Sequence, residues 1–200
     1  MPSSTSLRDV IGLDNGLPRL ADTTLVMIDY QNTYRSGVMA LEGAERAVTA
    51  GARLLSAARE AGIPVIHVVN DGGEGTPYDI RAEIGGISAE VAPVAGEPVV
   101  VKQFPNAFHE TGLEKVLHEA GAGKELVLAG FMTHMCVTFT AEGAFHRGFR
   151  PTVVAEATAT RALTAPDGTV LPAAALQTAA LTTIADLFGV VAPTVGDLTE

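Results

Sequence analysis

A cysteine, a carboxylate and a lysine each stand at the end of a short apolar run. Asp29 follows Thr24–Ile28, Lys102 follows Pro98–Val101, and Cys136, the chain's one cysteine, comes shortly after Glu125–Gly130. Cys136 also opens a helical pattern that continues to Arg147. A thiol at such a junction meets unpaired backbone N–H groups and the positive end of the helix dipole. Both favour thiolate, the reactive form, and a neighbouring lysine adds to the effect. A carboxylate can take the thiol proton and pass it to a leaving nitrogen. Backbone N–H groups in the turn before the helix can hold the oxyanion formed at an attacked carbonyl. The three types together point to amide hydrolysis. Each also has an ordinary role: a buried small hydrophobe for the cysteine, a helix cap for the carboxylate, a solvated cation for the lysine. Three such coincidences at three strand ends are less expected than one.

The chemistry requires that the three run ends meet. Thr24–Ile28 reads as a buried strand. Apolar or small residues at 44, 47, 48, 51, 55 and 58 recur at helical spacing within Glu42–Ala61, and Gly62 ends that helix. Pro64–Val69, Pro98–Val101, Glu125–Ala129 and Pro151–Ala155 read as further strands, with a weak sixth from Val190. Between them lie helical patterns at Gly112–Ala120, Thr133–Arg147 and Leu171–Phe188. Residues 71–96 form a long Gly-, Pro- and acid-rich loop with a short helix near Ile84–Val91. Near-continuous apolar strands alternating with helices predict an α/β fold: a parallel sheet covered by helices on both faces. One domain is expected over residues 1–200, with residues 1–20 as a loosely attached N-terminal arm. Ligands of such sheets bind outside the carboxyl ends of the strands, where Asp29, Lys102 and Cys136 fall and where His67 lies near the end of the second.

Bulk properties narrow the partners. The 200 residues are 47% hydrophobic, enough for a full core. A net charge of −10 argues against nucleic acid and anionic membrane surfaces. No apolar stretch approaches the roughly 20 residues that span a bilayer. The polar start Met1–Ser6 lacks a signal-peptide layout, so a cytoplasmic location is expected. No G-x-G-x-x-G follows the first strand and no G-x-x-x-x-G-K-[ST] occurs, which sets aside dinucleotide oxidoreductases and P-loop NTPases.

Three segments carry a family resemblance, Asp29–Tyr34, Val101–Phe108 and Ala129–Val137, and Ile63–Val69 and Val153–Arg161 also fit. In that order and strand context, they resemble the isochorismatase-like cysteine hydrolases. The similarity runs from about Thr23 to Leu187. It implies a six-stranded parallel sheet and an Asp29–Lys102–Cys136 triad, with Cys136 the nucleophile, Asp29 the proton shuttle and Lys102 the activating cation. It further implies a cis peptide between Phe131 and Met132, an oxyanion hole from the amides of Met132 and Cys136, and a homodimer or homotetramer. A thiol favours acyl transfer at a small-molecule amide or lactam through a thioester. Composition and the Phe131–Cys136 segment are also reminiscent of one member, streptothricin hydrolase, which opens the lactam of a cationic antibiotic. The alternatives are a vinyl ether hydrolase acting on isochorismate and a non-catalytic α/β binding module.

Around the triad, Gln31, Tyr34, Phe108 and His134 are the candidate substrate-pocket residues. Some family members bind a metal through an acid and histidines. Here His67, Asp71 and Asp79 lack a second nearby histidine, so His67 reads as a core or pocket-edge residue, and neither metal nor cofactor is expected. His109, His118 and His146 read as surface residues. The loop acids Asp79 and Glu83 suit a cationic substrate, although a solvated acidic loop is the plainer reading.

Overall fold

The computed structural model describes residues 4–199. Eight strands form: β1 (Thr24–Ile28), β2 (Val65–Asn70), β3 (Val99–Lys102), β4 (Glu125–Phe131), β5 (Arg150–Ala159), β6 (Leu163–Thr164), β7 (Val170–Leu171) and β8 (Val190–Ala192). Six of them make one all-parallel sheet in the order β3-β2-β1-β4-β5-β8. The six helices are α1 (Leu7–Val10), α2 (Ala44–Glu60), α3 (Leu113–Glu119), α4 (Thr138–His146), α5 (Ala173–Thr183) and α6 (Gly196–Thr199).

Alternation along β1 divides the core. Leu25 and Met27 join Leu54, Leu55 and Ala58 of α2 on one face. Val26 and Ile28 join Leu113 and Leu117 of α3 and Ala141 and Ala144 of α4 on the other. Both faces of the sheet are therefore buried, which is why its central strands are apolar without alternation. Leu54 is fully buried; truncation to alanine there would destabilise by about 2–5 kcal/mol.

The chain runs outward from β1 through β2 to β3, then returns to place β4 on the other side of β1. That reversal opens a crevice at the carboxyl ends of β1 and β4. Gly130 sits at its edge with φ +134°, and a Cβ there would lie 1.8 Å from the Ile28 carbonyl oxygen. Only glycine lets the two strands approach so closely.

Several boundaries differ from the sequence reading. β5 continues to Ala159 because Glu156 interrupts the apolar run without ending the strand; its carboxylate pairs with Arg53 and accepts from the Val195 N–H. The helices expected over 133–147 and 171–188 each include a π-helical turn, at Thr133–Val137 and Ile184–Phe188. The antiparallel β6–β7 hairpin went unread despite the Pro166-Asp167-Gly168 turn between its strands.

The described part of the N-terminal arm is docked, which corrects the expectation of a loose segment. Arg8 is only 3% exposed. Its guanidinium donates to the Asn15 side chain (2.8 Å) and to the carbonyls of Leu187 (3.1 Å) and Asp14 (2.5 Å). Residues 1–3 lie outside the described region.

Candidate active site

Asp29 directly follows β1 with φ +50°, a left-handed turn that Asp tolerates better than most residues. Lys102 ends β3, in register with Asn70 at the end of β2. Cys136 lies in the π-helical turn that leads into α4. The peptide between Phe131 and Met132, just before that turn, is cis.

The three side chains meet. Lys102 Nζ lies 2.8 Å from Asp29 Oδ2 and 3.4 Å from Cys136 Sγ. It also donates to Asn70 Oδ1 at 3.3 Å. Asp29 is 0% exposed, Lys102 1% and Cys136 6%, so of the three Cys136 keeps the most contact with solvent. Apart from the ion pair with Lys102, neither Asp29 oxygen has a well-aligned hydrogen-bond donor. A buried carboxylate is ordinarily saturated with donors. This one is left open beside a thiol.

Burial pushes the Asp29 carboxyl above the usual carboxylate range, although Lys102 pulls it the other way. Burial, and then the Asp29 charge, push the Cys136 thiol up despite Lys102. Lys102 is also raised: burial opposes its charge, but Asp29 and Cys136 outweigh burial. Enclosure and the Asp29 charge thus favour the thiol over the thiolate at rest. Such a site must move the proton as the sulfur attacks.

The four candidate pocket residues separate. Tyr34 is buried beside the site, its ring 5.5 Å from Phe131 and 5.7 Å from Tyr78. The Asp29 and Cys136 charges add to burial in raising its phenol pKa. His134 is half-buried two residues before Cys136, with Nδ1 2.5 Å from Thr160 Oγ1. Burial, and then the Arg161 charge, lower its pKa, so it is neutral at pH 7.

Gln31 and Phe108 are engaged within the fold. Gln31 is fully buried; its amide donates to the carbonyls of Asn70 and Gly85 and accepts from the Asn70 N–H. It binds β1, β2 and the long loop together. Phe108 stacks on Phe149 (6.0 Å) and lies under the Arg147 guanidinium (4.8 Å), packed in the core against α4.

His67 is corrected in position. It lies mid-strand, three residues before the end of β2, and its Nε2 meets Glu97 Oε2 at 2.9 Å. Among the described residues no cluster of three or more His, Cys, Asp or Glu side chains is arranged to hold a metal. The loop acids Asp71 and Asp79 are engaged by Arg81 at 3.2 and 2.6 Å, so they do not stand open to a cation. Sequence reasoning missed Asn70, Tyr78 and Arg161. Asn70 carried a legible signal, since it is the polar residue ending the apolar run of β2.

With this geometry in view, comparisons with known proteins agree on ancestry. Residues 23–194 match the isochorismatase domain family. The chain belongs to the isochorismatase family. It is 33% identical over 186 residues to a secreted isochorismatase effector of Verticillium dahliae, covering 92% of this chain and 95% of that one. Streptothricin hydrolase of Streptomyces noursei is 35% identical, over 72% of this chain and 57% of that protein. Maleamate amidohydrolase of Pseudomonas putida is 34% identical, over 66% and 70%. A solved isochorismatase structure from Pseudomonas putida superimposes with a TM-score of 0.92 at 39% identity, covering 97% of this chain and 99% of that one. The chain is thus an isochorismatase-family hydrolase with amidohydrolase relatives. No helix among its described residues is long and apolar enough to cross a membrane.

Proposed function

We propose that the protein hydrolyses a small-molecule amide C–N bond through a thioester on Cys136. The observation that carries this reading is the Lys102 ammonium, buried between Asp29 (2.8 Å) and Cys136 (3.4 Å). Cys136 Sγ attacks the amide carbonyl carbon while its proton passes to Asp29. The resulting oxyanion is held by the backbone N–H groups of Met132 and Cys136. Collapse expels the leaving nitrogen, which takes the proton from Asp29, and leaves a thioester. Water then attacks the thioester carbonyl, giving its proton to Asp29, and the acid leaves as the thiol is restored. Lys102 stays cationic and offsets the negative charge that moves between carboxylate, sulfur and oxyanion. A homodimer or homotetramer belongs to the same reading.

The test is a panel of small amides incubated with wild type and Cys136→Ala, followed by mass spectrometry of product and protein. Acid product and an acyl adduct on Cys136 are expected with wild type alone.

One relative favours a second reading. The Verticillium protein, called an isochorismatase effector, aligns over more of this chain than the two amide hydrolases do. A carboxyl with a raised pKa is also a proton donor suited to a vinyl ether. That reaction would need Asp29 and survive Cys136→Ala, so the same variant separates the two.

A further inference from the structure

The β6–β7 hairpin stands apart from the body of the molecule. No residue from Arg161 to Pro172 is buried, and Val170 is 63% exposed. Among the described residues, every hydrogen bond made by residues 163–171 stays within that span. Leu163 lies opposite Leu171 and Thr164 opposite Val170, so each face of the ribbon carries aliphatic surface. A two-stranded ribbon alone in water is marginal, because its apolar side chains have no second layer to pack on. The helix that follows is equally bare: of α5 only Ala173 and Ala180 are buried. Yet from Ala162 to Ala185 the chain carries a single charge, Asp167 at the hairpin tip, although 18% of all residues are charged. Depletion of charge on an exposed surface marks ground that another protein covers.

A groove of about 650 Å³ opens where the hairpin leaves the sheet, between α2, the end of β5 and the first turns of α5. Ala47, Ala159, Ala173 and Ala174 give it a small, smooth lining. Of its charged residues, Arg53 pairs with Glu156 at 3.0 Å, and the backbone of Glu42 bridges to Thr160. Arg46 has no ion-pair partner among the described residues, and neither has Asp167. We propose that two copies of the chain exchange hairpins. Each tip enters the other's groove, Asp167 of one copy pairs with Arg46 of the other, and the alanine lining covers Val170. This rests on the self-association included in the proposed function and assigns it a surface. Hairpin and groove adjoin on each copy, so one two-fold axis makes both insertions at once and the assembly closes instead of growing into a fibre. Copies that each carry a net charge of −10 repel, which a nearly uncharged surface with two opposite-charge pairs keeps small. The exchange also bears on the reaction centre. The hairpin departs just after Thr160, whose Oγ1 is 2.5 Å from His134 Nδ1, and His134 shares the π-helical turn with Cys136. A seated tip restrains that strand end.

The test is sedimentation velocity at micromolar concentration on wild type, Arg46→Asp, Asp167→Arg and the double charge exchange, with thermal melting to check folding. Wild type should sediment as a dimer, or as a tetramer of two such pairs. Each single reversal should raise the dissociation constant of the pair by on the order of tenfold or more, and the double exchange should recover most of the loss. A second arm joins tip to groove covalently. A chain carrying Arg46→Cys, Asp167→Cys and Cys136→Ala is oxidised and run under denaturing conditions without reductant. A covalent dimer is expected, with peptide mapping that links the segments around positions 46 and 167. A chain that stays monomeric there, whether through a link within one copy or no link at all, would overturn the exchange. So would a dimer indifferent to both charge reversals, or one not recovered by the double exchange; self-association would then stand on another surface. A wild type that is monomeric at every concentration would overturn self-association as well, while the amide chemistry is judged separately by Cys136→Ala.

Discussion

Two charge clusters lie on this sheet, one part-exposed and one enclosed, and they treat their carboxylates in opposite ways. At the amino end of β3, Glu97 accepts from Arg59 Nε (2.7 Å), Arg59 Nη2 (2.8 Å) and the Val94 N–H (3.0 Å), and it faces His67 at 2.9 Å. Its pKa is driven down to about 2, chiefly by Arg59. At the carboxyl end, Asp29 has one close cation, Lys102, and beyond it only the Cys136 thiol as partner, and burial raises its pKa. The saturated carboxylate is locked as an anion and serves the fold. The unsaturated one can take up and give back a proton. Depth of burial and the supply of donors both differ, Asp29 being fully enclosed while the Arg59–Glu97 pair keeps an exposed edge, and together they separate a structural cluster from a reactive one.

The sharpest way to break this contrast is at the sulfur. Cys136→Ala should lower amide turnover by on the order of 10⁴-fold or more, measured as kcat. Retained activity would make the carboxyl end as inert as the amino end.

Asp29→Asn comes next. It should cost about 10²–10⁴-fold in kcat, because the thiol loses its proton acceptor. It should also speed alkylation of Cys136 by iodoacetamide at pH 8, since removing the neighbouring negative charge lowers the thiol pKa. Slower labelling would contradict the assigned electrostatics. Asn tolerates the left-handed backbone at this position, so the variant should fold.

In wild type, kcat/KM should fall as pH drops through the raised Asp29 pKa, because only the ionised carboxyl accepts the thiol proton. The midpoint should therefore lie above the ordinary carboxylate value of about 4. With the thiol pKa raised, labelling should be slow at pH 6 and climb steadily into the alkaline range. Rapid labelling at pH 6 would instead mean a resting thiolate.

Glu97→Gln should leave catalysis nearly untouched and lower stability by about 2–3 kcal/mol near neutral pH. Part-exposure of Arg59 keeps the figure at the low end. The sign follows from a depressed pKa: the stabilisation is present above about pH 4.5 and is lost as pH falls toward 2. Urea midpoints measured between pH 7 and pH 2 should converge for wild type and variant. The pair of results, activity lost at one end and stability at the other, would sharpen the comparison.

The same contrast explains what was legible in the sequence. The strands were readable because a sheet buried on both faces demands unbroken apolar runs, and the triad was readable because reactive residues stand where such runs stop. Residues defined by partners far along the chain were not. Gln31 and Phe108 look like pocket residues by position, yet one spends its amide on Asn70 and Gly85 and the other fills space under Arg147. His67 reads as a core or pocket-edge residue and is buried, but its tie to Glu97 depends on a loop that has no periodic pattern.

The Gln31 amide has a mechanical consequence. It stitches the first two strands and the middle of residues 71–96 at one knot, and Gly85 is packed so tightly that a Cβ there would sit 2.3 Å from the Asp79 carbonyl oxygen. That long stretch is thus not a flap hung on the rim. It opens with the sheet or not at all, so its amides should exchange with deuterium alongside those of the second strand, well behind the fraying expected of a free span of its length.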